Sequence, residues 1–170
     1  MDDGVRHDQQ LVFTVADGDY GIPVLKVKEI LQWEEVTPVP GTPPAVAGVT
    51  NVRGAPTPVI DLARKFGLGS RAVGRRTCIL VVEALLGGAA TVVGLKAEAV
   101  QEVLDLGPGD LVAPPSFGGD VRVDFLHGLA RHGKRFVLLL DIDRVLSAAD
   151  AEISAAIASA TGAAAGQEAA

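Results

Sequence analysis

Gly21–Leu31 (GIPVLKVKEIL) and Gly94–Leu104 (GLKAEAVQEVL) are two versions of one segment, 73 positions apart. Gly, Val, Glu and Leu are identical in the two, and three further positions are apolar in both. A second match follows in the same order at an offset of 80, pairing Gly48-Val49 with Gly128-Leu129 and Val59–Leu62 with Leu139–Ile142. Chance likeness of short β-segments is the alternative. Because two blocks keep their order and the offset grows by only seven, we interpret the chain as two copies of one unit of about 70 residues.

Short strands joined by tight turns surround the repeated segments. Alternating apolar residues and glycine turns predict three hairpins: Leu11–Val15 with Tyr20–Ile22, Thr77–Glu83 with Thr91–Leu95, and Phe125–Ala130 with Arg135–Asp141. Short helices are expected around Val24–Ile30, Pro44–Ala47 and Leu62–Phe66. Many short strands with Gly and Pro turns favour an all-β sandwich or small barrels.

Two prolines mark a special strand between these hairpins. Pro56 and Pro58 are two residues apart, so both remove amide donors from the same side of the strand. We therefore expect this strand to lie at a sheet edge or at a barrel seam, where the lost donors face away from a hydrogen-bond ladder.

Composition is that of a folded protein, and the length allows one mid-sized domain or two small ones. The 170 residues are 48% apolar and 21% charged, and the formal charge of −6 gives no electrostatic support to nucleic-acid binding. A single cysteine fits a reducing compartment. The acidic start lacks the apolar stretch of a signal peptide, and no apolar run approaches the ~18 residues of a membrane helix. We expect a soluble cytoplasmic protein without direct membrane insertion.

The two ends of the chain are expected to be peripheral. Residues 1–9 carry no periodic apolar signal and are expected to be disordered. Ser147 and Asp150 have the spacing of a capping box, which predicts a C-terminal helix docked through Ile153 and Ile157. An alanine-rich flexible tail is expected over residues 158–170. We place the domain at residues 10–157, with a junction between its two intertwined subdomains near residues 66–76.

Few residues have the spacing of a catalytic or metal site. His7, His127 and His132 lack a cysteine or second histidine at ligand spacing, so neither a zinc site nor any other metal site is expected. Cys78 starts an apolar strand and is interpreted as a core residue. Asp61 and Asp141 occupy matching repeat positions, and both are interpreted as helix caps.

Two charged features remain after this search. Arg64, Lys65, Arg71, Arg75 and Arg76 form a basic stretch that is either a solvated linker or a docking site for an acidic partner. Arg53 stands beside Gly54 at a strand tip, in the run Asn51-Val52-Arg53-Gly54. It is either an ordinary surface charge or an arginine anchor in a protein interface.

A set of motifs is spread over residues 10–157: Leu11–Val15, Tyr20–Pro23, Val27–Leu31, Pro38–Pro43, Gly48–Gly54, Pro58–Gly67, Val93–Leu95, Val100–Leu104 and Leu138–Leu146. Taken together, these motifs resemble the CheW family of chemotaxis coupling proteins. Small departures are Val52, where the family usually has leucine, and Ala97-Glu98, where it commonly has Val-Asp. The resemblance implies two SH3-like five-stranded β-barrels, related by internal duplication, around a shared core, with short helices and a C-terminal helix.

The resemblance also implies a function. Members of this family are non-enzymatic adaptors without cofactors, located in the cytoplasm at receptor arrays near the inner face of the membrane. They join the cytoplasmic tips of methyl-accepting chemoreceptors to the regulatory domain of the histidine kinase CheA, which is itself CheW-like. Val27, Glu29, Ile30, Gly48, Asn51 and Arg53 match family positions tied to receptor or kinase binding. Val100 and Val103 match the inter-barrel groove that takes the receptor helix hairpin.

Two alternatives stay open at this point. The chain could be a CheW-like adaptor of a chemosensory pathway with an output other than motility. In another class, it could be a small β-barrel ligand-binding protein or a hydrolase that uses Asp61, Asp141 or Glu102. A deep cleft lined by two facing carboxylates would favour this last reading.

Overall fold

The computed structural model describes residues 9–86, 88–113 and 126–146. Its elements are β1 (Gln9–Val15), β2 (Gly18–Pro23), β3 (Val27–Gln32), β4 (Val46–Val52), β5 (Ala55–Asp61), α1 (Leu62–Lys65), β6 (Cys78–Leu86), β7 (Ala89–Ala97), β8 (Ala99–Asp105), β9 (Leu111–Val112), β10 (Leu126–His132), β11 (Arg135–Leu140) and α2 (Ile142–Leu146). The expected all-β fold and its three hairpins are confirmed. The expected C-terminal helix from Ser147 and both chain ends lie outside the described residues.

The strands form two sheets of matching order, and we call each curled sheet a barrel. Barrel 1 has the order β3-β6-β7-β5-β4, and barrel 2 has the order β8-β1-β2-β11-β10 with β9 at its edge. In both barrels one pair of central strands is parallel, β5 with β7 and β11 with β2. The third strands of the two sequence repeats are exchanged. β3 of the first repeat lies in barrel 1 with the hairpin β6-β7 of the second repeat, and β8 of the second repeat lies in barrel 2 with the hairpin β1-β2 of the first. The barrels are therefore intertwined.

Strand registers reproduce the sequence duplication residue by residue. Val59 is opposite Gly94 in barrel 1, and Leu139 is opposite Gly21 in barrel 2. These are the positions that the offsets of 80 and 73 equate. The bulges match as well: the extra residue is Lys28 in β3 and Gln101 in β8, and a further irregularity precedes Gly48 in β4 and Gly128 in β10. The duplication is therefore a property of the backbone and not a chance likeness.

The stretch between α1 and β6 joins the two sequence repeats but does not separate the two barrels. Both α1, which follows β5, and β6 belong to barrel 1, whose strands run continuously from Val27 to Ala97. Barrel 2 is built from the two flanking parts of the chain. This follows from the strand exchange, because the first hairpin of repeat two completes the barrel begun by repeat one.

Three apolar clusters hold the barrels together. One small cluster fills barrel 1 and includes Val59 and Val81, and another fills barrel 2 and includes Val12 and Leu139. The largest cluster draws on both sheets and lies between them. Its members include Leu11, Phe13, Val15, Ile22, Ile60, Leu62, Leu80, Val82, Val93, Leu95, Leu140, Ile142, Val145 and Leu146. Strands β1 and β6 therefore bury both faces, which makes the barrels one folding unit.

The glycine that opens each repeated segment is required by packing inside the barrels. A Cβ on Gly94 would lie 2.7 Å from Cγ2 of Ile79, and a Cβ on Gly21 would lie 3.0 Å from Cδ2 of Leu139. Either added methyl group would displace a buried side chain in a close-packed interior. The identity of these two residues thus has a steric cause.

Two of the three predicted helices are wrong. Val24–Ile30 contains one 3-10 turn, Val24–Lys26, followed by strand β3, and Pro44 lies in a turn just before β4. The apolar spacing of Val24, Val27 and Ile30 imitates a helix, whereas the exposure of β3 alternates residue by residue. The third helix is confirmed as α1, which begins after the cap residue Asp61.

The proline-rich strand lies at a seam and not at the outer edge of its sheet. β5 pairs with β4 along its whole length, but its pairing with β7 begins only at Val59. Pro56 and Pro58 stand in the half that has separated from β7, where a missing amide donor costs no ladder hydrogen bond. The chain therefore leaves an opening in the wall of barrel 1 at this position.

Candidate functional site

The turn between β4 and β5 presents an arginine held by a glutamate. Arg53 and Gly54 both have positive φ angles, +52° and +84°, as in the tight turns that join twisted antiparallel strands. The side chain of Asn51 accepts a hydrogen bond from the Gly54 amide at 2.7 Å. Arg53 Nε lies 3.1 Å from Oε2 of Glu29, and the Arg53 side chain is 80% exposed. The arginine is thus oriented and accessible, as an interface anchor needs to be.

A groove runs from this turn along the opening between β5 and β7. It encloses about 710 Å³ and includes Lys28 and Glu29 of β3, Arg53 of the turn, and Ala90, Thr91 and Val92 of β7. The opposite wall is the separated half of β5, and Val81 of β6 also lines the groove. Its lining is mixed, with the charged residues Lys28, Glu29 and Arg53 beside aliphatic surface.

The equivalent position in barrel 2 is bridged by side chains. Arg135 begins β11 and matches Ala55, and Asp19 in β2 matches Val92 by the repeat offsets. Arg135 Nη2 lies 3.2 Å from Oδ2 of Asp19, and Gln101 Nε2 donates to Asp19 Oδ1 at 2.7 Å. This bridge spans the two strands that stand open in barrel 1. The corresponding cleft is smaller, about 510 Å³.

The apolar candidate residues form two repeat-related pairs on the exchanged strands. Val27 and Val100 occupy equivalent positions, and both are partly buried against the cluster between the barrels. Ile30 and Val103 are also equivalent, and their exposed fractions are 45% and 50%. Each exchanged strand thus carries one anchoring valine and one exposed aliphatic residue at the edge of its sheet.

Gly48 has a backbone role that is independent of any partner. Its φ is +146°, and a Cβ there would overlap the carbonyl oxygen of Thr37. Thr37 exchanges backbone hydrogen bonds with Val49, which fixes the segment before β4 against this strand. A side chain at Gly48 would therefore disturb the fold of barrel 1 whether or not the residue touches a partner.

The carboxylates considered for hydrolysis lie in three separate networks. Asp61 accepts from the Arg64 amide and from Ser70 Oγ, and Asp141 accepts from the Arg144 amide at 3.3 Å. Both are thus confirmed as helix caps. Glu102 Oε2 lies 2.7 Å from Nε2 of His132. Each carboxylate has a local structural partner.

A buried lysine ties the linker between the repeats to barrel 1. Lys96 Nζ donates to the Arg71 carbonyl at 2.7 Å and lies 3.8 Å from Oδ2 of Asp61. It also stands 5.3 Å from the ring centroid of Trp33. The basic stretch is therefore anchored at Ser70 and Arg71, while Arg75 and Arg76 are exposed.

Cys78 is buried in the cluster between the barrels, and burial raises the pKa of its thiol. A thiol held in its protonated form is a poor nucleophile, which agrees with its interpretation as a core residue. Among the described residues, no group of three or more His, Cys, Asp or Glu side chains is placed to hold a metal ion. In that same part of the chain, no helix has the length and apolarity needed to cross a bilayer.

Sequence reasoning identified the turn residues individually but missed two features of the site. It did not pair Arg53 with Glu29, which are 24 positions apart. It also missed the groove residues Lys28 and Val92. The repeat alignment held a signal for the groove, because the pair Arg135 and Asp19 in barrel 2 becomes Ala55 and Val92 in barrel 1.

Fold and site together define a class: a duplicated, intertwined β-barrel domain whose accessible features are a held arginine, exposed edge-strand aliphatics and an open groove. A family model described as CheW-like domain matches residues 9–150. The chain is 36% identical to the chemotaxis protein CheW of Klebsiella aerogenes, over 81% of this chain and 80% of that one. It is 34% identical to protein FrzA of Myxococcus xanthus, over 81% of this chain and 84% of that one.

A solved structure agrees with these matches. The scaffolding protein TtCheW from Thermoanaerobacter tengcongensis superposes with a TM-score of 0.74 at 28% identity, covering 85% of this chain and 91% of that one. The chain belongs to the CheW-like family. It is a chemotaxis adaptor of the scaffold type, as the resemblance in the sequence implied.

Proposed function

We propose that this protein couples the cytoplasmic tips of methyl-accepting chemoreceptors to the regulatory domain of a CheA-type histidine kinase. In this role it has no turnover of its own and sets kinase activity through the contacts that it makes. Such an adaptor acts in the cytoplasm, at receptor arrays near the inner face of the membrane. The observation that carries the proposal is the family match over residues 9–150 together with the exposed, oriented Arg53.

The geometry of the candidate residues supports a contact with a helical receptor tip. Ile30 and Val103 offer exposed aliphatic side chains, and Val27 and Val100 fix the same two strands to the cluster between the barrels. An amphipathic helix binds by placing apolar side chains on such a surface, while a charged group at the rim sets its orientation. Arg53, with Glu29 behind it, is suited to the rim role.

The direct test of this contact is Arg53→Glu. The variant reverses an exposed charge and places it beside Glu29, so we expect the affinity for a receptor cytoplasmic fragment to fall at least tenfold, or about 1.4 kcal/mol. The midpoint temperature of thermal unfolding should stay close to that of the parent protein, because an exposed ion pair contributes little to stability. Titration calorimetry and a thermal melt measure the two effects.

The matched control is Lys134→Glu. Lys134 is exposed and occupies the position of Gly54 in the equivalent turn of barrel 2. This variant changes the net charge by the same amount at the corresponding turn. Unchanged receptor affinity in Arg53→Glu, or an equal loss in both variants, would contradict the assignment of Arg53.

A further inference from the structure

The groove of barrel 1 contains a strand edge that has no strand partner among the residues that the structure describes. From Ala89 to Val93, β7 is paired with β6 on one side, whereas its pairing with β5 starts only at Gly94. Alternate backbone N–H and C=O groups of this segment point away from β6 and therefore toward the groove. Ala90, Thr91 and Val92 line the groove along this edge. A free strand edge of this length is a template for one more strand.

The facing wall does not compete for this edge. Pro56 and Pro58 have no amide hydrogens, and their half of β5 is already paired with β4. This wall therefore offers carbonyl acceptors but no proline amide, and the N–H donors along the groove come from β7. Ala55, at the entrance, is too small to reach across to Val92.

Barrel 2 shows how side chains can span the same opening. There Arg135 and Asp19, at the positions of Ala55 and Val92, form an ion pair across the two strands, and Gln101 joins them from the position of Lys28. Asp19 is buried in this arrangement, with 6% of its side chain exposed. The same arrangement of strands therefore occurs twice: an ion pair spans the opening in barrel 2, and Ala55 and Val92 leave it unspanned in barrel 1.

We propose that the groove of barrel 1 is a strand-acceptor slot, in which an extended segment of the partner kinase's regulatory domain pairs with the Ala89–Val93 edge of β7. This rests on the proposed function, which supplies two partners. A strand edge selects an extended segment. Under the proposed function the regulatory domain is CheW-like and therefore built of strands, whereas a receptor tip is a helical hairpin.

The lining residues define the chemistry of the segment. An aliphatic side chain of the inserted segment packs on Val81 and Val92 at the centre of the groove. A carboxylate beside it meets Lys28, an exposed residue at the bulge of β3 for which the described residues offer no ion-pair partner. Arg53 is paired with Glu29, so the charge that Lys28 adds to the lining makes the groove favour an acidic segment.

The structure itself suggests the variant that tests the slot. Ala55→Arg combined with Val92→Asp transfers the closing pair of barrel 2 to barrel 1, at positions where the backbone already accommodates it. We expect affinity for the kinase regulatory domain to fall at least tenfold in calorimetric titration, while affinity for a receptor fragment stays within about threefold. A folded variant that binds the kinase domain as the parent does would overturn the proposal.

Two further measurements do not depend on the folding of that double variant. Lys28→Glu should weaken kinase-domain binding several-fold at low salt, with Lys134→Glu as the control that should not. In the parent protein, hydrogen exchange of amides in residues 89–93 should slow on complex formation. Unchanged exchange there would exclude strand pairing, even if the groove is covered.

The outcomes separate the two proposals. If the parent does not bind the kinase domain at all, both the coupling function and the slot are refuted. If the parent binds, and neither the closing pair nor Lys28→Glu alters the affinity, the coupling function stands and the slot is refuted.

Discussion

Barrel 1 and barrel 2 have the same strand order, registers and bulges, yet they present different surfaces. In barrel 2 an arginine and a buried aspartate bridge the opening between two strands, and in barrel 1 an alanine and a valine leave it open. The turns differ as well: Arg53 pairs with Glu29 in barrel 1, and His132 contacts Glu102 in barrel 2. Duplication has supplied two equivalent faces, and a few side chains decide which is accessible.

The largest difference between equivalent positions should appear at two glycines. Gly48→Ala would place a methyl group on the Thr37 carbonyl oxygen at a φ that L-residues rarely adopt, so we expect a loss of about 3 kcal/mol or more in unfolding free energy. The nearest atom to a Cβ on Gly128 is the Val112 carbonyl oxygen at 3.7 Å, and Gly128→Ala should cost less than about 1 kcal/mol. Urea unfolding compares the two, and equal losses would contradict the account.

The two capping aspartates should differ next. Asp61→Ala removes the carboxylate that faces the buried Lys96, and we expect a loss of about 3 kcal/mol in unfolding free energy. Asp141→Ala removes a helix cap from a half-exposed site, and we expect this variant to lose about 1 kcal/mol of unfolding free energy. The same urea measurement applies. A larger loss for Asp141→Ala than for Asp61→Ala would show that the lysine network does not stabilise barrel 1.

Opening barrel 2 should have a smaller effect. The double variant Asp19→Val with Arg135→Ala gives barrel 2 the residues that barrel 1 has at these positions. Replacing an ion pair by apolar residues that fit the site often changes the unfolding free energy very little. We expect the unfolding free energy, measured by thermal unfolding, to change by less than about 1 kcal/mol, since the backbone of barrel 1 tolerates the same residues. Collapse of the fold would mean that the two walls are less equivalent than their registers indicate.

The smallest effect on stability is expected where the effect on binding is large. Arg53→Ala removes an ion pair whose arginine is 80% exposed, so the unfolding free energy should change by less than about 0.5 kcal/mol. Chemical denaturation checks this value. A loss of several kcal/mol would make Arg53 a structural residue and not an interface residue.

The duplication of the fold could be predicted from the sequence because two blocks of the chain align in the same order. Offsets of 73 and 80 place Gly21 with Gly94 and Val59 with Leu139, and the strand pairings confirm both. Strand exchange could not be predicted, since periodicity shows that a segment is a strand but not which hairpin it joins. The helical spacing of Val24, Val27 and Ile30 predicts a helix where β3 lies, but tertiary pairing with β6 decides the conformation of this segment.

The candidate site was predictable only in part, for a similar reason. The Arg53-Gly54 turn has a local signature, but its contact with Glu29 depends on how β3 and β4 are placed in barrel 1. The groove depends on where the pairing between β5 and β7 begins, which no local pattern specifies. Only the comparison of Ala55 and Val92 with Arg135 and Asp19 carried this information in the sequence.

Kinase regulation tests the whole interpretation most directly. The cognate histidine kinase and a receptor cytoplasmic fragment are combined with and without this protein, and the rate of kinase autophosphorylation is recorded. The account predicts that the parent changes this rate in a receptor-dependent way and that Arg53→Glu does so only at much higher concentration. An identical rate with and without the parent protein would contradict it.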